Sequence, residues 1–202
     1  MKTAFVNHFD TSARDWDQRP VSLQLSAVPV RLLAQLKLQS SDQVLDFGAG
    51  TGLLATAIAP QVAQVTALDT SAPMLKVLDE KGFSNITTLH KDIFAGLPGQ
   101  YDAIVSCMAI HHVADTAALM RAFAIALHRG GRIALVDLYA EDGSFHDDNV
   151  AKGVQHFGFV PAALQTLAEQ AGFVDVAFSE ILLLRHSNGQ TYPLFLMTGG
   201  KP

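Results

Sequence analysis

Residues 43–52 read QVLDFGAGTG, and this stretch decides the fold. Gln43 to Phe47 is a short, largely apolar run of the kind that forms a buried strand. The helical stretch LLATAIA follows at once, with Pro60 closing it. Between the two, Gly48, Gly50 and Gly52 occupy alternate positions of one tight turn. Residues without a Cβ permit positive φ and let a ligand approach the backbone, and the helix behind offers unpaired N–H groups and the positive end of its dipole. Such a turn either merely connects strand to helix or is a surface against which a ligand lies. In open α/β sheets ligands sit outside the carboxyl ends of the strands, where strand order reverses, and a first strand with its loop belongs at that point.

From Gln43 onward, short β-branched or apolar runs alternate with longer helical stretches, the pattern of βαβ units and a mainly parallel sheet. QVTALD (64–69) is the second strand, and Ser71 is placed to cap a helix over 72–81, with Pro73 in its first turn and Gly82 as its stop. ITTLH (86–90) and YDAIVS (101–106) are strands three and four. Asp115 or Thr116 caps a helix carrying ALMRAFAIALH up to Gly130 and Gly131, and RIALVDL (132–138) is strand five. Pro161 opens a further helix ending near Gly172, after which FVDVAFSEILLL (173–184) and TYPLFLMTG (191–199) are strands six and seven.

Only a short turn containing HSNGQ separates these last two strands, whereas a parallel crossover needs about a dozen residues or more, so the last strand is expected to run antiparallel. The residues before Gln43 read as one or two helices outside the α/β core, with Pro20 near the start of the second and Pro29 kinking or splitting it.

The chain has 202 residues, 49% apolar and 16% charged, which fits one folded domain with a substantial core. No repeat, low-complexity tract or long linker divides it. A net charge of -5 argues against nucleic-acid partners, which need a basic surface. The single cysteine, Cys107, excludes an intrachain disulfide. The segment MKTAFVNHFDTSARDWD turns polar where a signal peptide needs an apolar run, and nothing approaches the roughly 20 apolar residues of a membrane span. The expectation is a cytoplasmic protein with no membrane partner.

Asp69 ends strand two, where an acid can accept from both hydroxyls of a ribose, or else help Ser71 cap the next helix. Asp92, in HKDIF after strand three, can accept from the exocyclic amine of an adenine with Ile93 against the ring, or be a solvated loop acid. A dinucleotide fingerprint places its third glycine one residue later than Gly52, which disfavours it, although a nicotinamide enzyme would also carry an acid after strand two.

Taken together, VLDFGAGTG, ALDTSAPML, HKDIF, YDAIVSCMAIHHV and LHRGGRIALVDL resemble, in order and spacing, the class I S-adenosylmethionine-dependent methyltransferases, particularly their small-molecule branch, over Gln43 to about Leu138. The resemblance implies a seven-stranded, mainly parallel Rossmann-like α/β sheet with helices on both faces and an N-terminal helical extension. It implies S-adenosyl-L-methionine as cofactor and S-adenosyl-L-homocysteine as product. Asp46 and the backbone of Gly48, Ala49, Gly50 and Gly52 would surround the methionine portion, and Asp69 with Thr70 would hold the ribose. Met74 would cover the adenosine, Asp92 and Ile93 would read the adenine, and Cys107 with Met108 would line the floor.

A sulfonium is already an activated methyl donor, so no base is obligatory. A phenol, thiol or carbon acid would still benefit from one, and the paired His111 and His112 are candidates, unless they only pack. Those two cannot form a metal site alone, and the spacing of His146, Asp147, Asp148 and His156 matches no ligand motif, so no metal is expected. The segment EDGSFHDDNVAKGVQHFGF (141–159) is too polar for core and reads as a pocket wall or lid, making Phe145, His146, His156 and Phe157 candidate acceptor contacts. Phe9 and Trp16 resemble the family's aromatic lid, and docking of an amphipathic helix explains them nearly as well.

The resulting division is a single domain over 1–202, with a helical cap (1–42), a cofactor-binding core (43–138) and an acceptor-side segment with the final strands (139–202). The expected function is methyl transfer to a small molecule. The alternatives are a catalytically silent S-adenosylmethionine-binding module or partner subunit and, third, an NAD-dependent oxidoreductase; the oligomeric state is not legible.

Overall fold

The computed structural model describes residues 8–202, so the first seven residues of the N-terminal helical region lie outside the described residues. Seven strands form one sheet: β1 (Gln43–Phe47), β2 (Gln64–Asp69), β3 (Ile86–His90), β4 (Tyr101–Cys107), β5 (Leu127–Leu138), β6 (Val174–Arg185) and β7 (Thr191–Gly200). Their order is β3-β2-β1-β4-β5-β7-β6. The first five run parallel, and β7 is antiparallel to both neighbours, with Asp137 opposite Phe195 in the β5–β7 ladder. The short turn at HSNGQ thus forces the reversal that its length requires.

Seven α-helices accompany the sheet among the described residues: α1 (His8–Ser12), α2 (Pro20–Leu25), α3 (Val28–Leu36), α4 (Leu53–Ile58), α5 (Ala72–Asp79), α6 (Thr116–Ala126) and α7 (Pro161–Gln170). Alternation along the central strands sends side chains to both faces, which is why helices cover both. Val44 and Val105 join Leu32, Leu54, Ile58 and Leu75 on the face covered by α3, α4 and α5. Leu45 and Ile104 join Leu119, Phe123 and Leu164 beneath α6 and α7.

The N-terminal region departs from the expected one or two helices. It holds α1, a 3-10 turn over Ala13–Gln18, α2 and α3. Pro20 opens α2, and Pro29 lies in the first turn of α3, so it splits the segment rather than kinking it. A proline is tolerated there because the N–H it lacks has no partner within the helix anyway. The other boundaries differ modestly. Pro60 sits in a 3-10 turn following α4, α5 stops at Asp79, and Leu127 leaves α6 to open β5, paired with Tyr101 of β4. Ser71 and Asp115 cap α5 and α6 as expected, accepting from the amides of Met74 and Ala118.

β1 lies between β2 and β4, so strand order reverses beside it and a crevice opens over the carboxyl ends of these strands. No helix among the described residues is long and apolar enough to cross a membrane.

Candidate active site

The three glycines of the turn after β1 all take positive φ, of 65°, 53° and 93° for Gly48, Gly50 and Gly52. They do different work. A Cβ on Gly48 would come within 2.3 Å of the Ala109 Cβ, so this glycine lets the turn pack against the loop after β4. A Cβ on Gly50 would meet nothing within 4 Å, because that position opens into the crevice and leaves the backbone bare to a ligand. Gly52 packs against Leu78 of α5.

Asp46 lies behind the turn, only 2% exposed, and its Oδ2 accepts the Ala55 amide of α4 at 2.9 Å. It is two residues beyond Val44, on the same face of β1, and this aims its side chain at α4. Burial pushes its carboxyl up to about 8, the charge of Asp69 adds, and the Ala55 hydrogen bond opposes. Asp46 supports the turn from beneath and does not line the crevice.

The crevice has a volume of about 540 Å³. Gly48, Ala49, Gly50, Asp69, Thr70, Met74, Asp92, Ile93, Cys107 and Met108 all line it, so ten of the residues expected to hold a cofactor converge on one cavity. Asp69 accepts the amides of Gly50 and Ser71, each at 2.8 Å, on different carboxylate oxygens. Each oxygen keeps a further lone pair for a ligand hydroxyl. Burial raises its pKa and the backbone donors oppose. Asp92 accepts the Phe94 amide and holds Ile93, only 5% exposed, at the wall. Burial pushes the Cys107 thiol up, with Asp137 and Asp46 adding, so it is not a thiolate nucleophile.

Phe9 and Trp16 close the crevice from the N-terminal side, their ring centroids 5.6 Å apart. Two acids that sequence reasoning did not single out fasten this cap. Asp10 accepts the Ser71 hydroxyl at 2.7 Å, and Asp17 takes the Thr51 hydroxyl and the Lys81 ammonium, the latter at 2.8 Å. All three partners lie far along the chain, so no local spacing could have signalled them.

A second chamber, of about 260 Å³, adjoins the first across Phe9, Trp16, Met108 and His112, which line both. Met108 has a φ of 57°, unusual for a residue with a side chain, and its amide donates to Val136 at 2.9 Å. Such strain, of about 1–3 kcal/mol, concentrates at functional sites.

His111, His112 and His146 gather at the chamber, along with Phe145. His111 Nδ1 lies 2.7 Å from Asp137 Oδ1, and both residues are almost wholly buried. Asp137 also accepts the amides of Ile110 and His111. It was legible only as the acid near the end of RIALVDL, and nothing in that run marked it as a partner of His111. His146 Nε2 is 3.3 Å from His111 Nε2, and His112 Nδ1 is 3.2 Å from the Gly153 carbonyl. Burial, then the neighbouring His111, lowers His112 to about 4 and His146 to about 3, so both are neutral near pH 7.

His156 and Phe157 line neither cavity. His156 Nε2 bonds the Val113 carbonyl and the Thr116 hydroxyl, tying the 141–159 segment to the start of α6. Phe157 is 48% exposed and leans on Gly143.

Known proteins share this fold. Residues 18–177 match a family described as a methyltransferase domain. An uncharacterized methyltransferase of Mycobacterium tuberculosis is 41% identical over 97 residues, which cover 46% of this chain and 49% of that protein. A ubiquinone biosynthesis O-methyltransferase of Xylella fastidiosa is 37% identical over 127 residues, covering 58% and 52% respectively. The chain thus spans about half the length of the curated relatives it matches. Among solved structures, the Haloferax volcanii complex between the Trm112 methyltransferase activator and a methyltransferase gives a TM-score of 0.82 at 20% identity, covering 97% of this chain and 98% of that one. The family match extends over most of the chain and contains the glycine turn and the acids after β2 and β3, so this chain belongs to the methyltransferase-domain family, of the class I S-adenosylmethionine-dependent type.

Proposed function

We propose that this protein transfers the methyl group of S-adenosylmethionine to a small, electron-rich acceptor seated in the histidine chamber, most simply a phenolic oxygen. The observation that carries this reading is the shared wall: the cofactor crevice and the chamber meet at Phe9, Trp16, Met108 and His112. Bound cofactor supplies an activated methyl on a positively charged sulfur. Asp69 and Thr70 hold the ribose, Met74, Asp92 and Ile93 enclose the adenine, and the bare backbone at Gly50 admits the amino-acid portion. Asp46 acts one layer further back, holding α4 and with it the turn. Phe9 and Trp16, fastened by Asp10 and Asp17, keep water from the transfer.

Acceptor chemistry follows from the chamber's walls. Arg19, Lys152 and Arg185 line it and no carboxylate does, among the described residues, which favours an acceptor with an acidic or anionic group. Phe9, Trp16 and Phe145 suit an aromatic ring. Its volume suits a small molecule rather than a chain segment. A relative named as an O-methyltransferase of ubiquinone biosynthesis supports oxygen as the acceptor atom. Phe145→Trp, which fills the chamber, tests this assignment: turnover should fall at least tenfold with S-adenosylhomocysteine affinity unchanged. Unchanged turnover would place the acceptor elsewhere.

A second reading has this chain working with an activator subunit, in line with the complex from which the Haloferax fold is known. Turnover by the isolated chain would remove the need for one. Tight cofactor binding without product would favour this reading or that of a silent module.

A further inference from the structure

We propose that His111, His112 and His146 form a binding site for a divalent transition metal, zinc being the best fit, at the inner wall of the acceptor chamber. The ring nitrogens that these three offer all lie within 4.8 Å of one another. Two come from the 3-10 turn Ile110–His112 after β4 and one from the loop after β5, so the cluster exists only in the fold. This is why the spacing of His146, Asp147, Asp148 and His156 revealed no motif: the partners of His146 lie in another segment.

Two of the imidazoles have their tautomer set from behind. The Nδ1–H of His111 donates to the Asp137 carboxylate at 2.7 Å, and the Nδ1–H of His112 donates to the Gly153 carbonyl at 3.2 Å. Each donation leaves Nε2 as a lone pair. A carboxylate or carbonyl on the outer nitrogen is the support that metal-ligating histidines carry, fixing ring orientation and raising ligand basicity.

His146 supplies the strongest geometric argument. Its Nε2 lies 3.3 Å from His111 Nε2, which carries no proton in the neutral imidazole that a metal requires. Either His146 donates a proton across this gap, or the two lone pairs share a cation. Tetrahedral zinc, with Zn–N bonds of about 2.0–2.1 Å, spaces its nitrogens about 3.4 Å apart, so this pair already stands at a coordination edge. Charge balance agrees. Asp137 is buried, and its ion-pair partner is a neutral-capable imidazole rather than a lysine or arginine. A dication on the far side of the His111 ring offsets a buried negative charge that is otherwise costly.

Three neutral ligands leave a fourth position open toward the chamber, the pattern of catalytic rather than structural zinc. An acceptor phenol or thiol taking that position would lose its proton to solvent and be held as the anion that attacks the methyl carbon. This use of the metal rests on the acceptor-chamber reading, whereas metal binding itself does not.

The test is titration of EDTA-treated, dialysed protein with cobalt(II), followed by its visible d–d absorption, and with zinc(II) in competition. One equivalent of cobalt should bind with the intense bands of a tetrahedral site, and zinc should displace it. His146→Ala should weaken binding at least tenfold, and Asp137→Asn by about 10–100-fold, the usual effect of losing an outer partner. Circular dichroism and S-adenosylhomocysteine calorimetry on the same variants check that they fold. Absence of a stoichiometric cobalt site, or equal affinity in folded His146→Ala, overturns the proposal. Methyl transfer that proceeds undiminished with EDTA would overturn the role in acceptor activation alone, leaving the transfer reading intact.

Discussion

The Asp69 carboxylate accepts the Gly50 amide at 2.8 Å, binding the carboxyl end of β2 to the turn after β1. The same side chain therefore shapes the turn and, in the proposed cofactor site, would present its remaining lone pairs to a ribose. Asp69→Ala should weaken S-adenosylhomocysteine binding by roughly 1–3 kcal/mol, about ten- to a hundredfold, through lost charge-assisted hydrogen bonds. Calorimetry reads this directly, and unchanged affinity would remove Asp69 from the site.

Gly48 and Gly50 should respond differently to alanine. Both have positive φ, which costs about 1–2 kcal/mol for a residue with a Cβ. Only at Gly48 does the new methyl also collide, at 2.3 Å from Ala109. Gly48→Ala should therefore lower Tm well beyond Gly50→Ala. Gly50→Ala should instead lose cofactor affinity, because its methyl enters the crevice. A larger Tm loss at Gly50 would contradict this division of roles.

Stability of the metal-free protein should peak near pH 6.5. His112 and His146 titrate in the fold at about 4 and about 3, against 6.5 when unfolded. Between those values the unfolded chain binds more protons, so stability falls as pH drops below 6.5. Asp46 has the opposite sign. Its carboxyl is raised from 3.8 to about 8, so its contribution is complete below 3.8 and is lost progressively as pH rises to about 8. Burial raises Asp69 in the same sense as Asp46 and lowers His8 in the same sense as the other two histidines, so three histidines oppose two acids below 6.5, and above it the raised acids act without them. Denaturant unfolding across pH 4–8 checks this, and His146→Ala should flatten the acid limb.

Asp17 joins the cap to the glycine turn through Thr51 and to the turn after α5 through Lys81. Partly exposed pairs of this kind contribute only about 0–1 kcal/mol to folding. Asp17→Ala should therefore leave Tm within a few degrees but speed release of S-adenosylhomocysteine, measured by stopped-flow displacement. An unchanged release rate would mean that the cap closes without this latch.

The glycine turn and the crevice above it were legible because their signals are local. QVLDFGAGTG, the acid ending QVTALD and the short turn HSNGQ each fix geometry within a few residues, and the sheet and crevice follow. Asp46 was legible as part of the turn, but not that it faces α4, which depends on the face of β1 it occupies. The histidine chamber was not legible, because its contacts join distant segments. His111 meets Asp137 and His146 only after β4 and β5 pair, and Asp17 reaches Thr51 only once the cap docks. His156 and Phe157 looked equivalent to Phe145 and His146 in composition. The path of the 141–159 loop turns the first pair toward α6 and solvent, and the second pair into the chamber.

The most direct measurement is transfer of label from methyl-labelled S-adenosylmethionine to a panel of small phenols, thiols and amines by the purified chain. A labelled small product and one S-adenosylhomocysteine per transfer are expected, with phenols the best acceptors and the KM for S-adenosylmethionine raised about ten- to a hundredfold by Asp69→Ala. Failure to bind S-adenosylmethionine or S-adenosylhomocysteine at all, with affinity for NAD in its place, would contradict it.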